Sequence, residues 1–154
     1  AHQAAGVLID LAGDDVYWSM ISAAQGAAWD TAISLLLDAA GNDTYRGNAL
    51  SQGSAAEQAL AMFCDLDGSD HYVGLGPFIQ GESGGNEYHF NDTKARSFSV
   101  LIDAGSGEDF FSSKRTRGGV TVTGPPPTSD APVSAPLFGL MIDLPPKVSG
   151  TSIR

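Results

Sequence analysis

A short motif recurs along this chain, and its spacing limits the folds that the chain can adopt. Each full copy is an apolar run that ends in Asp, followed by Gly three residues on, Asp five on and Tyr seven on, as in Asp38, Gly41, Asp43 and Tyr45. The Asp that ends the run occurs at Asp10, Asp38, Asp65, Asp103 and Asp143. These positions are separated by 28, 27, 38 and 40 residues. A fixed period in this range is typical of folds built from stacked repeats.

Side-chain size alternates along each apolar run, which favours a β-strand. Counted back from the Asp, positions −1, −3 and −5 are apolar in every copy, whereas position −4 is always small. This period of two predicts a strand that buries positions −1, −3 and −5. Residues 27–39 and 54–62 are rich in Ala and could also form helices, but a helical period does not require the same columns in every copy.

We therefore predict an all-β fold, a short parallel β-helix or solenoid of about four to five coils with a period of about 27–28 residues. Residues 1–154 form a single repeat domain, with coils that start near residues 5, 33, 60, 98 and 138. Residues 74–97 and 112–137 are predicted to be loop insertions. The chain opens inside a repeat, so we expect a processed product or a piece of a longer chain.

Position −2 carries a large apolar residue in every copy, on the face that the alternation predicts to be outside. We call these five residues the −2 stripe: Leu8, Leu36, Phe63, Leu101 and Met141. An exposed apolar stripe and the unpaired strand edges of the first and last coils predict a protein partner or self-association. The alternative is that the two insertions fold back over the stripe.

The charge distribution excludes some partners. The formal net charge is −10, and Arg46 is the only basic residue in residues 1–90. An acidic surface repels phosphate backbones, so we expect no nucleic-acid binding, and divalent cations or basic partners are the natural counter-charges. No apolar run is long enough to span a membrane. The single cysteine, Cys64, excludes an intrachain disulfide, and the expected location is extracellular, at the cell surface or periplasmic.

Three turns carry a possible metal-binding chemistry. They are Gly13-Asp14-Asp15-Val16-Tyr17, Gly41-Asn42-Asp43-Thr44-Tyr45 and Gly68-Ser69-Asp70-His71-Tyr72. These segments resemble the Gly-Asn-Asp turns of the RTX calcium-binding repeats. The resemblance implies Ca²⁺ as a cofactor, bound by carboxylates and by carbonyls near Gly13, Gly41, Gly68 and Gly107. The candidate ligands are the turn residues Asp15, Asp43, Asp70 and Asp109, with Asp10, Asp38, Asp65 and Asp103 at the strand ends. Carboxylates stacked one strand spacing apart call for cations or for raised pKa values.

Two other interpretations remain open at this point. Asp and Asn are also favoured in turns that bind no metal, because their side chains bond the nearby backbone. Acidic β-helix proteins can also bind or cleave polysaccharides, for which the candidates are Asp38, Asp43, Asp65, Asp70 and Arg46. We expect no catalysis, because a catalytic group is usually unique whereas these acids recur in every copy. The predicted function is therefore a structural or assembly module with acidic turns, and a carbohydrate-binding or carbohydrate-cleaving protein is the alternative.

Overall fold

The chain folds into short strands that form three sheets. The computed structural model describes residues 1–88, 94–113, 119–123 and 138–144. In these ranges the strands are β1 (Ala5–Asp10), β2 (Val16–Trp18), β3 (Ala28–Trp29), β4 (Ile33–Asp38), β5 (Thr44–Gly47), β6 (Ala55–Ala56), β7 (Leu60–Asp65), β8 (His71–Gly74), β9 (Phe98–Ala104), β10 (Phe110–Phe111), β11 (Gly119–Thr123) and β12 (Gly139–Leu144). The same ranges contain no helix, so the helical alternative for residues 27–39 and 54–62 is wrong, and no membrane-spanning helix is present in them.

The apolar runs form the strands of the largest sheet, as the alternation predicts. This sheet has the order β1-β4-β7-β9-β12-β11, and the first five strands pair in parallel. Equivalent positions of the motif are neighbours, since Asp38 pairs with Asp10 and with Asp65, and Asp103 pairs with Asp65 and with Asp143. The predicted register of the copies is therefore confirmed. It places a row of carboxyl groups along one edge of the sheet.

The prediction of a short parallel β-helix or solenoid is wrong. β11 pairs antiparallel with β12, so the largest sheet is mixed, and the remaining strands form a separate four-stranded sheet, β10-β8-β5-β2, and a two-stranded sheet, β3-β6. β11 also lies inside residues 112–137, which we predicted to be a loop. Its Val and Thr residues have high strand propensity, but it lacks the motif, so the motif alignment could not detect it. Parts of both predicted insertions lie outside the described ranges. They are residues 114–118 and 124–137 of the insertion at 112–137 and residues 89–93 of the insertion at 74–97.

The predicted faces of the main sheet are also reversed. Leu36, Phe63 and Leu101 of the −2 stripe are 0% exposed, and Met141 is 1% exposed, whereas Ile9 at position −1 is 58% exposed. Four members of the stripe are therefore core, and only Leu8 keeps a large exposed fraction. The small −4 residues explain the reversal, because backbone packs directly on them. Ser99, for example, accepts a hydrogen bond from the amide of Ala55 at 2.7 Å.

Aromatic rings fill the space between the two larger sheets. Tyr17, Tyr45, Tyr72 and Phe111 stack in a column, with ring centroids 4.9, 5.1 and 4.6 Å apart. Phe63 meets Tyr45 edge-on at 4.7 Å. The buried members of this core are Leu36, Tyr45, Phe63, Tyr72, Leu101, Phe111 and Met141. The Tyr residues of the motif are therefore part of the core, and their column also brings hydroxyl groups to the row of carboxyls.

Three Gln-Gly turns follow strands β2, β5 and β8 of the four-stranded sheet. Both residues of each turn are left-handed: Gln25, Gln52 and Gln80 have φ of 55°, 56° and 54°, and Gly26, Gly53 and Gly81 have φ of 72°, 77° and 75°. Each Gln donates from Nε2 to the carbonyl of the preceding Tyr, at 2.8 to 2.9 Å. Glycine is required at the second position, because a Cβ there would meet the carbonyl of a neighbouring strand.

Candidate metal centre

The acids of the motif reach one site from two places in the chain. Asp65 is the last residue of β7, and Asp103 is the penultimate residue of β9, in the parallel part of the main sheet. Asp43, Asp70 and Asp109 lie in the turns that follow strands of this sheet. Because the strands are in register, the turns stack as well, and their acids come close together. The row of carboxylates is thus built from residues that are far apart in the sequence. Hydrogen bonds from the amide of one turn to the carboxylate of the next join residues 27 and 39 positions apart.

Two triads of carboxylates stand out within this row. Asp43, Asp65 and Asp70 form the first triad, and Asp70, Asp103 and Asp109 form the second. In each triad, one oxygen from every residue lies within 4.8 Å of the others. All of these residues except the partly exposed Asp109 are at most 2% exposed. Asp70 belongs to both triads, so the two are joined into one site.

One oxygen of each turn carboxylate is held by the turn before it. The amide of Asp15 donates to Oδ1 of Asp43 at 2.6 Å, and the amide of Asp43 donates to Oδ1 of Asp70 at 2.7 Å. The amide of Asp70 donates to Oδ1 of Asp109 at 2.8 Å. These bonds satisfy the turn amides and fix the orientation of each carboxyl group.

The tyrosine hydroxyls hold one oxygen of the strand-end acids in a similar way. Tyr45 and Tyr72 both donate to Oδ2 of Asp65, at 2.8 and 3.1 Å. The sequence contains the signal for these bonds, because Tyr stands seven residues after the Asp in three copies. Our sequence analysis used the Tyr position to align the copies and did not identify its role in orienting the acids.

Four other oxygens of these acids have no hydrogen-bond partner among the residues that the structure describes. They are Oδ2 of Asp43, Oδ1 of Asp65, Oδ2 of Asp70 and Oδ2 of Asp103, and each is fully buried. An unpartnered buried polar atom costs about 1–3 kcal/mol, and more when it carries charge. Buried polar atoms normally have a partner, so four such oxygens in one row indicate that a further ligand or protons complete the site.

Burial raises the pKa of these carboxyl groups. Loss of solvent is the first cause in each case, and the neighbouring carboxylates add to it. The pKa is raised at Asp43, to about 6 at Asp65, to about 7 at Asp70 and to about 9 at Asp103. The hydrogen bonds from Tyr45 and Tyr72 act in the opposite direction on Asp65. Asp103 belongs to the copy in which Phe111 replaces Tyr, so its own copy supplies no hydroxyl.

The other candidate ligands lie outside both triads. Asp10 and Asp38 share the hydroxyl of Tyr17, which donates to them at 2.9 and 2.8 Å. Asp15 contributes its amide to Asp43 but no carboxylate oxygen to a triad. The structure therefore brings together five of the eight predicted metal ligands.

The recurrence of Gly at the same position of these turns has a steric cause. A Cβ built on Gly41 would overlap the carbonyl oxygen of Gly13, and one on Gly68 would overlap that of Gly41. Neither Gly41 nor Gly68 has a left-handed φ. Glycine is thus needed here because successive turns stack closely, and not because the turn requires an unusual backbone angle.

The same burial argues against the carbohydrate alternative. Asp38, Asp43, Asp65 and Asp70 are at most 1% exposed, so a sugar polymer cannot contact them in this conformation. Arg46, the proposed basic partner, instead lies over the ring of Trp18, with 6.0 Å between the guanidinium carbon and the ring centroid.

Comparison with known proteins gives no further guide to this site. No protein-family model matches the chain, and no curated protein or solved structure matches it significantly. The function must therefore be argued from the geometry of the acidic row.

Proposed function

We propose that this protein is a structural and assembly module whose stacked acidic turns bind Ca²⁺. The observation that carries the proposal is the convergence of five carboxylates, in which one oxygen from each member of a triad lies within 4.8 Å of the others. Four of the five also have a buried oxygen with no hydrogen-bond partner among the described residues. Bound cations would partner these oxygens and offset the repulsion between the carboxylates. The cations would then join one turn to the next and stabilise the stack.

Calcium fits the donor set better than other metals do. The triads offer only carboxylate oxygens, which are hard ligands that suit Ca²⁺ and not the softer metals that favour Cys or His. Calcium binds oxygen at about 2.3–2.6 Å, so two ligands on opposite sides of one ion lie up to about 5 Å apart. The spread of the oxygens within each triad is compatible with that distance.

The proposed location is extracellular, at the cell surface or periplasmic. Extracellular calcium modules commonly work with dissociation constants of about 10⁻⁴ to 10⁻³ M, so a site of modest affinity would be filled there. The proposed assembly role uses the strand edges, because β1 is an unpaired edge of the main sheet and β2 is an edge of the four-stranded sheet.

Replacement of Asp70 by Asn tests the calcium site most sharply, because Asp70 belongs to both triads. The amide oxygen can still accept the hydrogen bond from Asp43, but the charge is lost. Calorimetric titration of chelator-treated protein with Ca²⁺ should show saturable binding, and Asp70→Asn should weaken it about a hundredfold. Asp67→Asn is the matched control. Asp67 is an exposed acid of the same turn that bonds Ser106 and belongs to neither triad, so this variant should bind as the wild type does.

Thermal unfolding with calcium and in chelator distinguishes a metal-binding site from a cluster of carboxyl groups that bind only protons. With Ca²⁺ at about 100 times its dissociation constant, the wild type should gain about 2.7 kcal/mol of unfolding free energy. Asp70→Asn should lose that gain, and in chelator it should be at least as stable as the wild type because one buried charge is gone. Absence of calcium binding to the wild type, with Asp70→Asn equally stable in both buffers, would overturn the calcium proposal.

A further inference from the structure

The outer face of the main sheet is apolar throughout. Its six strands place on this face positions −1, −3 and −5 of each motif copy, together with Val120 and Val122 of β11. All of these residues are apolar, although the alternation assigned their columns to the core. Ile33 is 58% exposed, Val120 is 62% exposed, and the three such positions of β7 are half-buried. The described part of the chain therefore leaves a contiguous apolar surface here.

This surface is large for a protein that stays monomeric. Strands lie about 4.8 Å apart and rise about 3.3 Å per residue, so a sheet of this size has a face of roughly 29 by 20 Å. The face covers about 600 Å² before the relief of the side chains is counted, which is the upper end for the largest apolar patch of a typical monomer. Two such faces would together bury about 1,200 Å², more than the roughly 1,000 Å² that a specific interface requires.

The acids of the main sheet do not reach this surface. Along each strand the motif Asp alternates with the outward residues, and Asp38, Asp65 and Asp103 are at most 2% exposed. The turn acids follow the strand ends. Two copies of the face can therefore meet without placing carboxylates opposite one another, even though each chain carries a formal net charge of −10.

The composition of this surface favours a second copy of the chain over a different partner. Interfaces with transient partners are about as apolar as the rest of a protein surface, whereas homodimer interfaces are more apolar. A symmetric dimer uses the same patch on both subunits, so the face must complement itself. Sheet faces can do so, because two sheets pack about 10 Å apart with interdigitating side chains. A lipid surface is a poorer match, because anionic headgroups repel an acidic chain.

We propose that two copies of this chain pack through the outer faces of their main sheets and form a symmetric dimer. The middle strands β7 and β9 lie at the centre of the contact, and the edge strands β1 and β11 lie at its rim. Side chains at the centre of an interface supply most of the affinity, whereas those at the rim contribute little. This inference deepens the proposed assembly role and depends neither on calcium binding nor on pairing of strand edges.

Sedimentation equilibrium over a concentration series tests the dimer, in chelator and in calcium buffer alike. Met62→Lys should raise the dissociation constant of the dimer about a hundredfold, because Met62 is an outward residue of β7 and the dimer would bury the new charge. Met62→Leu keeps the apolar surface and should change it by less than about threefold. Ile21→Lys is the matched control. It makes the same change of charge at a residue that is 78% exposed in the loop after β2, so the dissociation constant should stay within about twofold.

The chain's one cysteine gives a second measurement that needs no substitution. Cys64 is the −1 residue of β7, so its half-buried thiol lies on the outer face near the proposed centre. The dimer would cover this thiol, and its rate of reaction with a thiol reagent should therefore fall as the protein concentration rises, in proportion to the fraction of monomer. This test stands even if Met62→Lys does not fold, which circular dichroism would show.

Three outcomes would overturn the proposal. The first is a wild-type monomer at all concentrations, with a thiol reaction rate that does not depend on concentration. The second is a dimer that Met62→Lys and Ile21→Lys leave equally intact, because the contact would then lie on another surface. The third is a monomer that binds phosphatidylcholine vesicles, and loses this binding in Met62→Lys, because the face would then belong to a lipid surface. Failure of calcium binding in the calorimetric experiment would leave all of these outcomes unchanged.

Discussion

The first copy of the motif and the middle copies have nearly the same sequence pattern but different environments. Leu8 of the first copy is 43% exposed, whereas Leu36 of the second is 0% exposed. Tyr17 is likewise only partly buried, whereas Tyr45 is fully buried. Burial here is therefore set by the neighbours on both sides of a copy, and the motif alone does not determine it.

The difference extends to the charge of the strand-end acids. The pKa of Asp10 is lowered, first by the hydrogen bond from Tyr17 and then by a backbone amide. The pKa of Asp65, at the equivalent position, is raised to about 6 by burial even though it accepts two tyrosine hydrogen bonds. The surroundings of the strand-end Asp thus stabilise its charged form in the first copy and its neutral form in the third copy.

The largest expected effect comes from truncating the −2 residue in the two environments. Leu36→Ala should lower the free energy of unfolding by about 2–5 kcal/mol, because it leaves a cavity in a closed core. Leu8→Ala should lower it by less than about 1 kcal/mol, because water already reaches that side chain. Urea denaturation of both variants measures the difference, and equal losses would contradict the comparison.

The buried carboxyl groups of the middle copies should determine how the free energy of unfolding depends on pH in chelator. A carboxyl group with a raised pKa stabilises the fold fully below its unfolded pKa, and this contribution is lost as the pH rises through the folded pKa. The values for Asp65, Asp70 and Asp103 therefore predict that the unfolding free energy falls between about pH 4 and pH 9, by a few kcal/mol. Asp10 acts in the opposite sense, because its lowered pKa gives stability above the unfolded pKa that is lost as the pH falls.

Urea denaturation in chelator across this pH range tests the predicted fall in unfolding free energy. Carbon NMR titration of the Asp carboxyls tests the lowered pKa of Asp10. Added Ca²⁺ should flatten the fall in stability, because the ion replaces the protons. Stability that stays constant or increases from pH 4 to pH 9 in chelator would contradict the assignment.

A smaller effect is expected from the turn acids of the two regions. Asp43→Asn should weaken calcium binding about tenfold, because Asp43 belongs to the first triad and its buried Oδ2 has no hydrogen-bond partner among the described residues. Asp15→Asn should leave the affinity nearly unchanged, because Asp15 gives only its amide to this network. Calorimetry on both variants distinguishes a site made by particular oxygens from a general effect of negative charge, which would make the two losses equal.

The smallest effect should come from the outer face of β1. Ile9→Ser removes an apolar side chain that is 58% exposed, so the free energy of unfolding should change by no more than about 0.5 kcal/mol. Phe63→Ser, which changes an inward residue of the −2 stripe, should be severely destabilising by comparison. A larger loss for Ile9→Ser would show that the outer face is covered in solution, and sedimentation would then identify the cover.

The sequence predicted the strands and their register better than it predicted their faces. The Asp, Gly and Tyr columns aligned the copies correctly, because in-register strands place like residues side by side. The faces could not be assigned, because both faces of each run are apolar and the small −4 residues suggested an outer surface. They are small because backbone packs on them, which is a tertiary contact that a single strand does not reveal.

The candidate site was predicted in part for the same reason. The motif spacing identified the acids that lie in the stacked turns. It could not show which of these acids lie close enough together to form the triads. Asp15, Asp10 and Asp38 carry the same motif as Asp43 and Asp65 and yet lie outside the triads. The antiparallel β11 carries no copy of the motif, so no alignment of the copies could have placed it.

The antiparallel strand β11 makes the two edges of the main sheet different, because β1 at the other edge pairs in parallel with its neighbour. At the β1 edge, a strand of the same kind can continue the pattern of side chains and backbone contacts. At the β11 edge, the Val-Thr alternation and the reversed strand offer no matching register. Among the described strands the parallel order therefore ends at β12, and the two edges of the main sheet are not equivalent.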